Sequence, residues 1–192
     1  CRLTVPPNQR EYAWEAQVTA LLEDLKKAYD LAKPYYFLGT IVLTEGDGGV
    51  FNVSDGQQRL ATTTILLAAM RDYFISRSDK EMTDHIECEY LTIFDPDTRK
   101  RIPRLKMNIQ DDEFFRSRIL SFPDSPRRTK EPSFKSHEYI ANAAGLAAKH
   151  IQSILSGLGD TDKPTILNRG IAFLRDKAFV IKVVVPDVLS AF

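Results

Sequence analysis

Three observations on this 192-residue chain predict an α+β fold, a small mixed sheet with flanking helices followed by a helical part. Tyr35 to Leu43 is a β-rich, mostly apolar run, and Gly46-Asp47-Gly48-Gly49 joins it to the alternating run Val50 to Val53 as an antiparallel hairpin. Apolar residues recur three or four apart over 15–33 and again from Leu60 onward, the spacing of helices. The second half carries further helical patterns before one last strand-like run. The expected division is a core over 1–110, then a helical extension with a returning strand at 179–185 over 111–192.

Taken in order, Leu3 and Val5 form a short extended start that Pro6-Pro7 ends, placed to join the same sheet. Asn8 to Trp14 is a polar turn closed by Tyr12 and Trp14, which equally suit core anchors for the next helix. Val18, Leu21, Leu22, Leu25 and Tyr29 make that helix's stripe. Gly39, inside the central strand, marks a bulge or a close approach of ligand or backbone. The helix from Leu60 runs to about Ile75; 76–84 is charged and polar, His85 to Phe94 is mixed, and Asp95-Pro96-Asp97 is a turn. Arg99 to Lys106 holds five basic residues in eight positions, a phosphate contact or, as charge runs usually are, a solvated face. Ile102, Leu105 and Met107 within and after it suit an edge strand. Asp111 to Leu120 reads as a helix, and Phe122 to Phe134, rich in Pro, Ser, Arg and Lys, as a mobile loop. Helices over His137–Leu158, ended by Gly157 and Gly159, and over Thr165–Leu174 lead to a buried strand, Phe179 to Val185, closed by Pro186.

Composition narrows the chemistry. Hydrophobic residues make up 43%, enough for a proper core, and 26 basic residues balance 26 acidic ones. No global field draws the chain to nucleic acid, so any such contact is a local patch. Cys1 and Cys88 form no disulfide framework or metal motif, and His85, His137 and His150 are scattered without metal-ligand partners. A reducing, cytoplasmic setting fits, with no membrane-spanning run and no signal peptide. The chain reads as a fragment of a longer protein.

The stretch that carries chemistry is Asp55-Gly56-Gln57-Gln58-Arg59, five polar or glycine residues between a strand and a helix. The first turn of a helix leaves N–H groups unpaired, and its dipole favours an anion there. Gly56 lets the backbone turn and approach a ligand. Arg59 offers a planar fork for phosphate oxygens. Asp55 can hold a metal, orient Arg59 or cap the helix, and Ser54 or Asp55 as an ordinary N-cap is the competing reading.

The same run, with Leu60, Thr62 and Thr63, resembles the signature of the DUF262 family. That family includes the GmrS half of GmrSD-type modification-dependent restriction enzymes and the N-terminal domain of SspE-like phosphorothioation-sensing effectors. Val5-Pro6, Gln9-Arg10, Tyr12 and Trp14 resemble the family's opening motif, with Asn8 where the family usually has Tyr. Tyr36 to Leu43, Arg104 to Lys106 with Asp112, Phe114 and Phe115, and Phe179-Val180 with Val184, Asp187 and Ala191-Phe192 resemble later segments. The resemblance implies a ParB/sulfiredoxin-like fold and a domain that hydrolyses or senses nucleoside triphosphates. In the family such a domain controls an HNH-type nuclease domain, here in cis or in trans, within prokaryotic anti-phage defence. Implied partners are nucleotide and modified DNA, with a homodimer as one option.

On that resemblance Asp55, Gln58 and Arg59 would be catalytic, Asp55 holding Mg²⁺ or orienting water. Gln9, Arg10, Tyr12, Trp14, Gly39, Thr40, Gly56, Gln57 and Thr62 would complete the nucleotide site. Gln9 and Arg10 are expected to meet Arg59 in one pocket with Gly39 in its wall. Three other readings stand beside this one: a nucleotide-gated DNA-binding switch without hydrolysis, a direct DNA phosphodiesterase using Asp55 and Arg59, and a scaffold whose polar turn is structural.

Overall fold

The computed structural model describes residues 2–185. Pro186, Asp187 and Ala191-Phe192, named above, lie outside the described residues. A five-stranded mixed sheet has, from edge to edge, the strands Leu105–Lys106, Arg2–Thr4, Val50–Asp55, Tyr36–Glu45 and Ala178–Val185. The hairpin is formed as expected: β2 (Tyr36–Glu45) runs antiparallel to β3 (Val50–Asp55), and Leu43 pairs with Val53. The N-terminal strand β1 (Arg2–Thr4) joins the sheet parallel to β3 and to the short edge strand β6 (Leu105–Lys106). β4 (Thr92–Asp95) and β5 (Lys100–Pro103) form a separate antiparallel hairpin around the predicted Asp95–Asp97 turn.

Helices line the sheet. α1 (Ala16–Asp30) buries Val18, Leu21, Leu22 and Leu25, the stripe read from the sequence. α2 (Gln57–Ser76) is the central helix, with buried residues on every side rather than along one stripe. α3 (Lys80–Ile86) and α4 (Asp112–Phe115) are short, each continued by a π-helical turn. α5 (Lys135–Leu155) and α6 (Asp162–Asp176) are longer, α5 lying across α2. Ile65, Phe74, Phe114, Phe115 and Ile140 are at most 1% exposed and mark one core shared by both halves of the chain. No helix among the described residues is long and apolar enough to cross a membrane.

Three expectations change. α2 begins at Gln57, not Leu60, because Gly56 turns the chain at φ 90° and the two glutamines enter the first helical turn. The last strand, β7 (Ala178–Val185), exists but is not buried. Among the described residues it pairs only with β2, in parallel, and Phe179, Ile181 and Val183 are 44%, 51% and 40% exposed. Its apolar run marks an open sheet edge. The stretch Phe122 to Phe134 holds a short 3-10 turn, Pro126–Thr129, and is tied to α2. Arg128 reaches Asp72, and its Nε donates to the Ser121 carbonyl at 2.7 Å.

That tie centres on Arg71, wholly buried in α2. Its guanidinium pairs with Asp72 and Glu87, each at 2.8 Å, and donates to the carbonyls of Ile119, Leu120 and Ser121. Phe122 lies under it at 5.2 Å. A buried arginine is tolerable only when all its donors are met in this way.

Candidate functional site at the start of the central helix

β3 ends at Asp55, and the backbone turns through Gly56 into α2. A Cβ at Gly56 would meet the Thr40 carbonyl oxygen and Ile41 Cγ1, both at 3.1 Å, so the close fit of β2 against this turn demands glycine as well as the positive φ does. Neither Ser54 nor Asp55 caps the helix: Gly56 holds the N-cap position, and no side chain accepts from the first-turn N–H groups. Asp55 is exposed. The cap reading is therefore set aside, and the first turn keeps unsatisfied donors.

Arg59 is half-buried, and its guanidinium lies flat on the strand. A Cβ at Gly39 would fall 2.5 Å from its Cζ and 2.6 Å from Nη1. Nη1 reaches the Thr40 carbonyl at 3.4 Å, and Trp14 lies over the other face at 5.8 Å. The expected irregularity at Gly39 is a register shift in the β2–β7 ladder, with Gly39 at φ 126°. Strand, ring and carbonyl together fix the cation beside the helix start. Tyr36 stands near as well: burial raises its hydroxyl pKa, Asp24 adds to this, and Arg59 opposes it.

The two glutamines are each 3% exposed. Gln58 grips the N-terminal loop, its Oε1 accepting from Ala13 N and its Nε2 donating to the Glu11 carbonyl, both at 2.8 Å. Its amide thus holds backbone. Thr62 donates its hydroxyl proton to the Gln58 carbonyl at 2.8 Å, so at 2.7 Å the Tyr12 hydroxyl must donate to Thr62. Tyr12 is a core anchor, 1% exposed, and burial pushes its hydroxyl up to about 12.

Gln9 Nε2 donates to the Ser54 carbonyl at 3.2 Å, which brings the N-terminal loop beside Asp55. Arg10 is exposed and lines, with Gln9, Lys135, Ser136 and Tyr139, a separate cleft towards α5. The structure thus gathers Gln9, Trp14, Gly39, Thr40, Asp55, Gly56 and Arg59, and leaves Arg10 on another wall.

Asn108 and Asp111 escaped the sequence reading. Asn108 Nδ2 donates to the carbonyls of Gln9 and Arg10 at 3.4 and 3.3 Å, and its Oδ1 accepts from Asp111 N at 2.9 Å. Asp111, fully buried, accepts from Tyr12 N at 2.8 Å through Oδ2, while its Oδ1 faces His137 Nε2 at 4.0 Å. The N-terminal loop is thus clamped by Gln58 on one side and by this pair on the other. The signal was present: two short polar side chains in Asn108-Ile109-Gln110-Asp111, just after an apolar edge strand, are turn formers with spare acceptors. Among the described residues no group of three or more His, Cys, Asp or Glu side chains is placed to hold a metal ion.

The chain is thus an α+β domain whose polar strand–turn–helix segment is braced from both halves of the chain. The family model of the GmrSD restriction endonuclease N-terminal domain matches residues 2–188, so the chain belongs to that family and has a restriction-related role. The DUF262 resemblance is borne out by this match. No curated protein matches the chain.

Proposed function

We propose that the domain binds a nucleoside triphosphate at the start of α2 and hydrolyses it, as the regulatory part of a restriction system. The observation that carries this reading is the fixed guanidinium of Arg59, held between Trp14 and Gly39 next to the uncapped first turn. Unpaired N–H groups, a positive helix end and a preorganised arginine are what a phosphate chain needs. Asp55, at the end of β3, would share a Mg²⁺ with phosphate oxygens and water, which suits an ion that keeps most of its hydration and takes few protein ligands. The ion would neutralise charge on the phosphates, and the Arg59 guanidinium would add to this. Gln58, Asn108 and Asp111 would act through the loop they hold.

Modified DNA and a nuclease domain are the partners this role calls for. The exposed Arg99, Lys100 and Arg101, next to the exposed Phe94 on the separate hairpin, offer a local basic patch for the first. Calorimetric titration with each of the four ribonucleoside triphosphates, with and without Mg²⁺, tests the reading. Arg59→Ala should lose at least tenfold in affinity while the melting temperature falls by only a few degrees. Asp55→Asn should keep the fold and binding while phosphate release stops. Wild-type affinity in Arg59→Ala would end the phosphate role.

A further inference from the structure

Away from that site, a cavity of about 240 Å³ opens between α1, α2, α5 and α6. Its walls are apolar: Leu25 from α1, Leu66 and Met70 from α2, Ile154 from α5, and Leu167 and Phe173 from α6. Tyr29 meets Phe173 edge-on at 5.8 Å at its margin. The polar lining residues are Lys26, Asp30 and His150. Lys26 and Asp30 are exposed, which marks the open side, and they pair with each other one helical turn apart.

Gly170 also lines this space, in the interior of α6. Glycine there weakens a helix, and this one has no compensating backbone need, since its φ is not positive. Nor does close packing require it: a Cβ would sit 3.8 Å from Met70 Cε, an ordinary contact. An unfilled apolar hole destabilises a fold in proportion to its volume. Helix-breaking glycine and hole thus coincide at one spot, and any larger side chain at 170 would remove both defects. Met70, opposite, is the side chain best able to reshape around a guest.

We propose that this cavity is a binding site for a small, uncharged, apolar molecule of about two fused rings that carries one hydrogen-bonding group. The size follows from the volume, half as large again as the roughly 150 Å³ engineered cavity that takes benzene. The lack of charge follows from the lining, where Lys26 and Asp30 already neutralise each other. His150 supplies the polar contact; burial first, and Lys26 second, hold its imidazole below the usual range, Glu23 opposing, so it is neutral at pH 7.

The test uses 2-naphthol as the probe and naphthalene-2-sulfonate as its charged counterpart, read by thermal shift and by the fluorescence of the bound ring. The wild-type domain should be stabilised by 2-naphthol in a saturable way and not by the sulfonate. Gly170→Leu should melt higher than wild type without probe and lose the probe's effect. Gly170→Ala, for which there is room, guards against a leucine that does not fit: it should fold, melt higher and bind 2-naphthol several-fold more weakly. No shift in the wild type, equal response to the sulfonate, or undiminished binding in Gly170→Ala would overturn the proposal.

Discussion

Gly39→Ala probes the seat of Arg59 from the strand side. Gly39 adopts φ 126°, a conformation that L side chains avoid, so forcing alanine into it costs roughly 1–3 kcal/mol. The new Cβ would lie 2.5 Å from Arg59 Cζ. The guanidinium is the free end of a long side chain, so it gives way rather than the strand. It then leaves the Thr40 carbonyl and the Trp14 ring, the latter contact contributing about 0.5–1 kcal/mol at a partly exposed site. Urea unfolding should therefore show a loss of roughly 2–3 kcal/mol, and triphosphate affinity should fall nearly as far as in Arg59→Ala. Once residue 59 is alanine the clash has no partner, while the backbone strain stays. The double mutant should then be more stable than the sum of the single losses by about 0.5 kcal/mol or more. Strictly additive losses, or wild-type triphosphate binding in Gly39→Ala, would refute the interlock.

Two further outcomes can be checked on stability alone. Arg71→Met should destabilise the domain by about 3–5 kcal/mol, because Asp72, Glu87 and three carbonyls lose a buried cation; a loss below about 1 kcal/mol would mean that water reaches that cluster. In the folded domain Tyr12 keeps its proton to about 12, while in the unfolded chain it gives it up near 10. Between those values the unfolded state binds fewer protons, so stability falls as pH rises, by roughly 3 kcal/mol for the full interval. Denaturation curves across that window should be distinctly flatter in pH for Tyr12→Phe.

The hairpin, α1, the N-terminal strand and the glycine-marked bulge were legible because each rests on local signals, namely spacing, a four-residue turn cluster and proline. The start of α2 was not. Gln57 and Gln58 look like solvent-facing loop residues, and only tertiary partners, the Glu11 carbonyl and Ala13 N–H in the case of Gln58, give a buried amide a reason to sit in a helix. β7 misled for the opposite reason. Its valines and isoleucine match a buried strand, yet burial depends on what lies alongside, and no strand among the described residues pairs with its outer edge. Polarity likewise misread 122–134, where Arg128 and Arg71 hold a segment whose composition favours mobility. In the site, Arg59, Gly56 and Gly39 were found from residue type. The clamp by Asn108 and Asp111 was not, since it joins positions about a hundred residues apart.

The pairing of β7 with β2 also bears on how the domain is made. Tyr36 is partnered by Ala178 and Thr44 by Val185, so the last sheet contacts to become available during synthesis are those that flank Gly39. Parallel pairing over so great a separation in sequence is slow to form, because a long loop must close before any contact rewards it. A ribosome-bound chain that has released the hairpin and α2 still lacks one neighbour of β2, and the wall against which Arg59 rests stays half-supported. Arg59 would then settle between Trp14 and a fully paired β2 only after β7 has emerged, which ties the geometry at the start of α2 to completion of the sheet.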